Sequence, residues 1–326
     1  MRATIQFCTY NRAALLERVL DACFEQTVAP DAYEIVLVND GSSDGTHAII
    51  GRAIARHEQA KQAGIAMPGF TVIDQANAGL AKGRNVGISR AQGERIIFID
   101  DDVLPLPNFV EEHLAAQDAY ARSHRDTAEV IVRGGAINVE SFDDLPLPIW
   151  SLKHYSGNFF WTTNVSVPLA TIRAIGGFND SFSEYGWEDI DVGLRLRSRG
   201  VKAVFNKQAL VYHWKPRPRS TNVEKMIRQA QAQARTAVQL VQKHPNWRTH
   251  LATGINPVQR GFHAWLRGIK AARNYQVMLG DLSTDRQLSN RELSTAKKLI
   301  NEAYFEELEH TLEKASTPSC HPEERP

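Results

Sequence analysis

The sequence is poor in cysteine and contains no apolar run long enough to cross a membrane. Its three cysteines, Cys8, Cys23 and Cys320, are too few and too scattered for a disulfide framework or a zinc site. No stretch approaches the ~18 apolar residues of a transmembrane helix. The first residues, MRATIQFCTYNR, lack the charged-then-apolar pattern of a signal peptide. These absences predict a cytoplasmic protein, at most peripheral to the inner face of the membrane.

The sequence also lacks an excess of charge of either sign. Its 38 Lys and Arg against 37 Asp and Glu give a formal net charge of +1. Because no overall field draws such a chain toward nucleic acid, we expect no nucleic-acid partner. The 326 residues are 43% hydrophobic and 23% charged, which suits a globular protein of one large domain or two modest ones.

Short strand patterns alternate with helix patterns over the first hundred residues, which predicts βαβ units and a mainly parallel, Rossmann-like sheet flanked by helices. The first predicted helix is NRAALLERVLDACFEQ, and we expect Asn11 to cap it. After Trp214 the pattern becomes helical, with predicted capping boxes at Thr221 with Glu224 and at Ser289 with Glu292. We therefore expect an α/β domain over 1–215, a helical region over 216–313 and a disordered tail over 314–326.

Polar clusters follow three of the predicted strands, at Thr9–Arg12, Asn39–Asp44 and Asp100–Asp102. Ligands of parallel sheets bind beyond the carboxyl ends of the strands, so these clusters indicate one site. The three aspartates follow the apolar run Ile96–Ile99 directly. Two carboxylates ~5 Å apart repel by about 3 kcal/mol at an effective dielectric of ~20. Either a solvated turn or a bound cation would relieve that repulsion.

The motifs together resemble those of family 2 nucleotide-sugar glycosyltransferases with a GT-A fold. The resemblance covers residues 1 to about 215, and its motifs come in the family's order: TYNR, VNDGSSDGT, NAGLAKGRNVGI, FIDDDV, NVSVP, GGFNDSFSEYGWEDIDVGLRLRSRG and VYHW. It implies a nucleotide-sugar half over about 1–104 and an acceptor half over about 105–215.

The resemblance implies a set of donor-binding residues: Thr9, Asn11, Arg12, Asp40, Gly79, Lys82, Arg84, Asn85, Asp100 and Asp101. Asp40 matches a contact to a uracil-type base, although a turn aspartate would fit the local sequence as well. The segment NAGLAKGRN opens a helix whose N-terminus suits a diphosphate, but Ala78 stands where the family usually has a second glycine.

Asp102 and His213 match the family's ligands for a divalent cation, Mn²⁺ or Mg²⁺, which suits hard carboxylate oxygens. A half-buried strand histidine is the alternative for His213. On an extended backbone Asp101 would point to the other side and contact only water.

Four further residues are candidates for the acceptor side of the site. Asp189 matches the general base, while Trp187 and Glu188 match residues that line the acceptor pocket, and Asn164 is a further acceptor candidate. The alternative is a helix N-terminus rich in acids, stabilised by the helix dipole, and Asp191 fits that description.

The predicted function is metal-dependent, inverting transfer of a sugar to a glycan or lipid-linked acceptor, as in polysaccharide biosynthesis, with a UDP-sugar favoured as donor. The chain lacks the Gln-x-x-Arg-Trp motif and membrane helices of processive members, so we expect non-processive transfer. The alternatives are a sugar-1-phosphate nucleotidyltransferase, a glycoside hydrolase and a non-catalytic binding protein on a degenerate transferase fold. The nucleotidyltransferase should have a glycine-rich loop after the first strand, which TYNRAALLE lacks.

Basic residues dominate the helical region between Trp214 and Arg273, where Glu224 is the only acid, and the balance turns acidic beyond Gly280. Within it, RGFHAWLRGIKAARNYQVML sets aromatic and aliphatic residues beside basic ones, as interfacial helices do. The pattern fits either peripheral contact with an anionic membrane surface or ordinary core packing.

Overall fold

The computed structural model describes residues 1–124, 129–182, 184–270, 282 and 284–316. The chain divides into two compact units, one formed by Met1–Ser183 with Glu188–Pro216 and the other by Glu184–Trp187 with Arg217–Pro326. Among the described helices, none is both long and apolar enough to cross a bilayer. Cys8 and Cys23 are free and buried, and Cys320 lies outside the described residues.

The first unit holds an eight-stranded sheet with helices packed on it. Its strands are β1 (Ala3–Thr9), β2 (Tyr33–Asp40), β3 (Gly69–Gln75), β4 (Arg95–Phe98), β5 (Val103–Pro105), β6 (Val130–Val139), β7 (Val165–Pro168) and β8 (Lys202–Trp214). Its helices are α1 (Ala13–Phe24), α2 (Thr46–Gln62), α3 (Leu80–Arg90), α4 (Phe109–Ser123), α5 (Leu169–Ala174) and α6 (Glu188–Ser198).

The strand order across the sheet is β3-β2-β1-β4-β7-β6-β8-β5. The pairs β1–β2, β1–β4, β2–β3 and β6–β8 are parallel, while β7 runs antiparallel to both β4 and β6, and β5 runs antiparallel to β8. The predicted mainly parallel α/β sheet is confirmed, with β5 and β6 as strands that the sequence analysis did not predict. Strand β5 begins directly after the three aspartates, so its pairing with β8 brings Asp102 next to His213.

The second unit consists of helices α7 (Val223–Lys243), α8 (Trp247–Thr253), α9 (Pro257–Lys270) and α10 (Asn290–Ser316). Helices α7 and α10 bury an apolar cluster that includes Ala234, Val238, Phe305 and Leu308. The helical C-terminal region is therefore confirmed. Helix α10 continues to Ser316, past the predicted start of the disordered tail at residue 314, and residues 317–326 lie outside the described residues.

The two predicted capping boxes have different outcomes. Ser289 and Glu292 form theirs, since the backbone N–H of Ser289 donates to Glu292 Oε2 at 2.9 Å and that of Glu292 donates to Ser289 Oγ at 3.3 Å. The box at Thr221 and Glu224 is wrong. A short turn over 220–222 precedes α7, and the Thr221 hydroxyl donates to Asp285 Oδ1 at 3.0 Å. The hydroxyl is thus used for a tertiary contact in place of a cap.

Candidate active site

The carboxyl ends of β1, β2 and β4 meet at one edge of the sheet. Parallel pairing places Thr9 opposite Asn39 and Gln6 opposite Phe98, so the segments after these strands begin side by side. The predicted convergence of the three polar clusters is therefore confirmed by the register. Strand β8 ends at the same edge, because it is parallel to β6 and antiparallel to β5.

Asp40 holds the loop that leads into α3. Its carboxylate is buried and accepts hydrogen bonds from Gln75 Nε2 at 2.6 Å, from the backbone N–H of Ala78 at 2.9 Å and from that of Gly79 at 3.0 Å. Gly79 precedes the helix with a φ of +89°. Three of the roughly four acceptor positions of this carboxylate are thus occupied, which leaves one for a further donor. Lys82, one helical turn on, is exposed.

Asn11 does not cap α1, contrary to the sequence prediction. It has a φ of +54°, and its Oδ1 accepts hydrogen bonds from the backbone N–H of Ser43 at 2.8 Å and of Asp44 at 3.3 Å. Asp44 takes over at the helix start, where its Oδ2 accepts from the backbone N–H of Ala13 at 3.1 Å. Asp44 was missed because it lies 31 residues from its partner. The loops after β1 and β2 are therefore bonded into one surface.

Asp101 does not point away into water, as the sequence had suggested. Residues 101–102 form a turn, and Asp101 accepts hydrogen bonds from Thr9 Oγ1 at 3.0 Å and from Arg12 Nε at 3.2 Å. Burial raises the pKa of Asp101 to about 6, although the Arg12 charge opposes the rise. The turn, which the apolar strand pattern could not reveal, explains the difference. Asp101 therefore fixes Thr9 and Arg12 at the strand ends.

Asp102 and His213 face each other across the β5–β8 pair. Asp102 Oδ1 lies 3.4 Å from His213 Nε2, and Asp102 Oδ2 lies 3.4 Å from Arg12 Nη2. Burial alone would raise the pKa of Asp102, but the His213 hydrogen bond and the charges of His213 and Arg12 outweigh it and lower the pKa. The Asp102 carboxylate is therefore ionised at neutral pH.

This pair fits a divalent cation that takes its other ligands from substrate. Over the described ranges, no group of three or more His, Cys, Asp and Glu side chains is arranged to hold a metal. Mg²⁺ characteristically binds through one or two carboxylates together with substrate phosphates and water, and Mn²⁺ also suits such oxygen ligands. The Asp102 carboxylate at the sheet edge matches that chemistry, and the His213 imidazole would add a nitrogen ligand beside it.

Arg84 joins the two sides of the site. Its guanidinium is buried and donates from Nη2 to Asp100 Oδ1 at 3.1 Å and to Thr162 Oγ1 at 2.7 Å, and from Nη1 to Glu188 Oε1 at 3.1 Å. Burial disfavours its charge, but Asp100 and Glu188 more than compensate and raise the pKa of Arg84. The sequence predicted a donor contact, and the structure instead places this guanidinium among carboxylates.

Asn85, the next residue along α3, is also occupied within the protein. Its Oδ1 accepts from the backbone N–H of Phe178 at 2.8 Å, and its Nδ2 donates to the Phe178 carbonyl at 2.8 Å and to Asp180 Oδ1. Asn85 therefore ties α3 to the segment ahead of α6.

Glu188 and Asp189 open helix α6 with two adjacent carboxyl groups. Burial, followed by the negative charge of Glu188, raises the pKa of Asp189 to about 7 against the lowering effect of Arg84. Glu188 Oε2 is buried and has no hydrogen-bond partner among the described residues. A carboxyl group with a pKa near neutrality is suited to take up a proton during a reaction at physiological pH.

Two predicted acceptor residues are engaged elsewhere. Asn164 is fully buried, donates from Nδ2 to the carbonyls of Gly135 and Ala209 at 2.9 Å, and bonds to His113 through Oδ1. It therefore ties strands together and presents no surface to an acceptor. Trp187 belongs to the helical unit, where its ring packs on the apolar cluster and its Nε1 donates to the Gln233 carbonyl at 2.8 Å.

Comparison with known proteins shows which family the chain resembles in sequence. The model of Glycosyl transferase family 2 matches residues 4–174, more than half of the chain. The chain is 29% identical over 232 residues to validoxylamine A glucosyltransferase of Streptomyces hygroscopicus subsp. limoneus, a match that covers 62% of this chain and 49% of the relative. The chain thus spans about half the length of this curated relative.

Two solved structures are similar in fold. A mannosyltransferase from Pyrobaculum calidifontis, in complex with GDP-Man and Mn²⁺, aligns with a TM-score of 0.58 at 18% identity, over 96% of this chain and 86% of that one. Residues 1–349 of TarS from S. aureus align with a TM-score of 0.52 at 16% identity, over 97% of this chain and 91% of that one.

Proposed function

Because the chain belongs to glycosyl transferase family 2, we propose that it transfers a sugar from a nucleoside diphosphate sugar to an acceptor hydroxyl. The proposal is a metal-dependent, inverting and non-processive reaction, with a UDP-sugar as the favoured donor and a glycan or lipid-linked molecule as acceptor. The family and the GT-A neighbours support glycosyl transfer in general. The donor, the metal requirement, the stereochemistry and the acceptor are the parts that we propose.

The observation that carries the proposal is the Arg84 bridge between the two sides of the site. One guanidinium contacts Asp100, beside the candidate metal ligand Asp102, and Glu188, beside the candidate base Asp189. A displacement reaction needs a leaving group on one side of the anomeric carbon and a base on the other. Arg84 holds the carboxylates of these two sides in one rigid arrangement.

Asp189 is proposed as the general base. It takes the proton of the acceptor hydroxyl while that oxygen bonds to the anomeric carbon and the bond from this carbon to the diphosphate oxygen breaks. Its pKa of about 7 suits this task, because a substantial fraction is ionised at neutral pH while the group remains basic enough to bind a proton. Glu188 supports the role by raising that pKa.

Asp102 and His213 are the proposed ligands of Mn²⁺ or Mg²⁺. When bound, the cation would act as a Lewis acid that stabilises the negative charge on the departing nucleoside diphosphate. The mannosyltransferase neighbour, seen with GDP-Man and Mn²⁺, supports a metal in this fold. Thr9, Arg12 and Asp101 shape the adjacent edge of the donor site, and Lys82 is an exposed cation near the start of α3.

A metal titration of two variants tests the proposal. Asp189→Asn keeps size and shape but cannot accept the proton, so we expect transfer to fall by about 10²–10⁴-fold with donor binding retained. Added Mn²⁺ should not rescue this variant. His213→Ala should need more Mn²⁺ for half-maximal rate and recover part of its rate at saturation. Asp102→Ala should lose metal-dependent donor binding altogether.

Each part of the proposal has its own contrary result. Transfer by Asp189→Asn at close to the wild-type rate would place the base elsewhere, and loss of donor binding in this variant would give Asp189 a structural or metal-binding role. Metal-dependent donor affinity unchanged in a folded Asp102→Ala variant would remove Asp102 as a ligand. If the wild type forms a nucleotide sugar from a nucleoside triphosphate and a sugar 1-phosphate, the protein is a nucleotidyltransferase.

A further inference from the structure

The segment of residues 140–159, here called the strap, joins β6 to β7 and carries exposed aliphatic side chains. Leu147, Ile149 and Leu152 are 78%, 68% and 80% exposed. Single exposed apolar residues are common on protein surfaces, but three large ones within six residues form a patch that requires an explanation.

The inner side of the strap is firmly anchored. The Tyr212 hydroxyl donates to the Pro146 carbonyl, Arg133 Nη1 donates to the Asn158 carbonyl at 2.7 Å, and Phe142 is buried in the core of the first unit. Trp150 packs against the same core, and its ring centroid lies 6.1 Å from that of Phe205. The outward position of the three aliphatic side chains is therefore a property of an ordered segment.

The backbone of the strap fixes the direction of its outer residues. Pro146 and Pro148 each have a fixed φ, and the backbone N–H of Ile149 donates to the Leu147 carbonyl at 2.7 Å, which closes a tight turn around Pro148. Holding a chain in one conformation costs conformational entropy, which burial of these side chains does not repay in the protein alone.

Both ends of the strap lie at the edge of the sheet that carries the candidate active site. It starts just after Val139, which is paired with Trp214 beside His213. It ends shortly before Thr162 and Thr163. Thr162 Oγ1 accepts a hydrogen bond from Arg84 Nη2, and Thr163 Oγ1 donates one to Asp100 Oδ2 at 2.6 Å. Whatever contacts the strap is thus close in the fold to the acceptor side of the site.

The aliphatic side chains are preceded by the exposed Asp143 and Asp144, whereas the residues beside and after them are of the kinds found at lipid–water boundaries. Lys153 and Lys207 are exposed, and Lys207 Nζ lies 4.5 Å from the centre of the Trp150 ring. Tyr155 is 44% exposed. Tryptophan and tyrosine are enriched where membranes meet water, and lysine can extend its ammonium group to the headgroups while its stem stays in the apolar layer.

We propose that the strap is a lipid-docking element, in which Leu147, Ile149 and Leu152 insert into the apolar layer of a membrane surface next to the site. A partner protein or a second copy fits less well, because a stable protein interface takes roughly 20–30 residues from each side. A lipid surface can receive a few aliphatic side chains without matching their shape. The proposal concerns membrane attachment and does not depend on the transfer reaction.

Flotation with phosphatidylcholine vesicles, which carry no net charge, tests the proposal without any donor or acceptor. The wild type should bind, and the variant L147S/I149S/L152S should bind at least tenfold more weakly. Ile65→Ser is the matched control, since Ile65 is 58% exposed in the same unit but outside the strap. Its binding should equal that of the wild type, and binding by the wild type should persist in 1 M salt.

A second variant, Ile149→Trp, tests directly whether the strap inserts into the acyl chains, because its signal does not rely on a loss of vesicle binding. In Ile149→Trp the added indole should be quenched by phosphatidylcholine with brominated acyl chains, whereas in Ile65→Trp it should not. Three results would overturn the proposal: no binding of the wild type to neutral vesicles, equal binding of the triple variant, or no extra quenching in Ile149→Trp. Since neither measurement involves sugar transfer, these failures would leave the proposed reaction untouched.

Discussion

Asp189 is a single residue at which the proposed activity and stability oppose each other. Burial and Glu188 raise its pKa from 3.8 to about 7 in the folded protein. Between those pH values the folded state holds a proton that the unfolded state has released, so folding stability declines as pH rises from about 4 to 7. Above pH 7 the full loss of folding stability caused by the ionised Asp189 carboxylate is present. A buried base of this kind is a burden on the fold that its proposed role in catalysis explains.

We therefore expect Asp189→Asn to be more stable than the wild type at pH 8, on the order of 4 kcal/mol, because the pKa is raised by about three units and each unit corresponds to about 1.4 kcal/mol. The gain should vanish near pH 4, where the wild-type group is mostly protonated in both states. Urea unfolding at the two pH values measures it. Equal stability at pH 8 would mean that the carboxylate is not penalised by burial.

Glu188→Gln provides the matched variant, because it removes the like charge while its amide oxygen can still accept from Arg84. The pKa of Asp189 should fall, and the acid limb of the pH–rate profile should move to lower pH. An acid limb that stays in place would show that Glu188 does not act on Asp189.

Asp40 is a residue whose substitution tests whether its hydrogen bonds to the loop before α3 matter for nucleotide binding. Two of its three hydrogen bonds come from the backbone N–H groups of Ala78 and Gly79. In Asp40→Asn the amide NH₂ must replace one acceptor, so one of these two partly buried hydrogen bonds to a carboxylate is lost at a cost of about 1–3 kcal/mol. We expect weaker nucleotide binding with the metal requirement retained, measured by donor titration with and without Mn²⁺. Normal donor affinity in this variant would contradict it.

The sequence predicted well which residues lie close together where that proximity follows from position at a strand end. Asp102 and His213 do meet, because parallel and antiparallel pairing bring strand ends together. Asp101 and Asn164 were mispredicted. A turn directs the Asp101 side chain toward Thr9, and the Asn164 side chain donates its hydrogen bonds to backbone carbonyls of neighbouring strands. Such tertiary hydrogen bonds leave no local signal in a sequence.

At the scale of elements, strand and helix periodicity predicted the alternating strands and helices of the first hundred residues, whereas the ends of elements were predicted less well. The cap expected from Asn11 is supplied by Asp44 of another loop, and the box expected at Thr221 is replaced by a contact to Asp285. A cap is a single hydrogen bond, so a residue distant in the chain can supply it as well as a neighbour can. The three-residue strand β5 is too short to show a period.

The junction between β2 and the loop before α3 gives a prediction at this scale. Gly41 and Gly64 share a φ of +76°, but a Cβ on Gly41 would lie 2.6 Å from the backbone nitrogen of Asn77, while a Cβ on Gly64 would meet nothing within 4 Å. Both alanine variants carry the strain of positive φ, about 1–2 kcal/mol. Only Gly41→Ala must also displace the loop that Asp40 holds.

Gly41→Ala should therefore be less stable than Gly64→Ala and should bind the donor more weakly, whereas Gly64→Ala should bind it as the wild type does. Thermal unfolding and donor titration of both variants measure the difference. Equal losses in the two variants would show that backbone strain alone matters, and that the close approach of Asn77 has no part in donor binding.

At the scale of the whole molecule, a net charge of +1 conceals a basic stretch over 215–273 followed by an acidic one. In the structure, some of these basic residues form ion pairs with residues of the acidic stretch. Arg219 pairs with Asp285 at 2.6 Å, Arg235 with Glu307 at 3.0 Å and Arg260 with Glu309 at 2.6 Å. The sequence showed the two charge runs but could not show that helices α7, α9 and α10 bring them together. Part of the basic run therefore serves the helical unit itself.

The remaining exposed cations of that unit, which include Lys225, Lys243 and Arg248, carry the last prediction. We propose that they attract an anionic membrane surface, where each contributes about 1 kcal/mol, so the variant K225Q/K243Q/R248Q should bind vesicles containing phosphatidylserine about 100-fold more weakly. Because ions screen exposed charges over about 8 Å at 0.15 M salt and 3 Å at 1 M, the wild-type preference for anionic over neutral vesicles should disappear at 1 M. The ratio of the two affinities is the quantity to measure, since it cancels any apolar contribution from the strap. A ratio that is unchanged in the variant, or that persists at 1 M salt, would show that these side chains are solvated surface charges that do not attract the membrane.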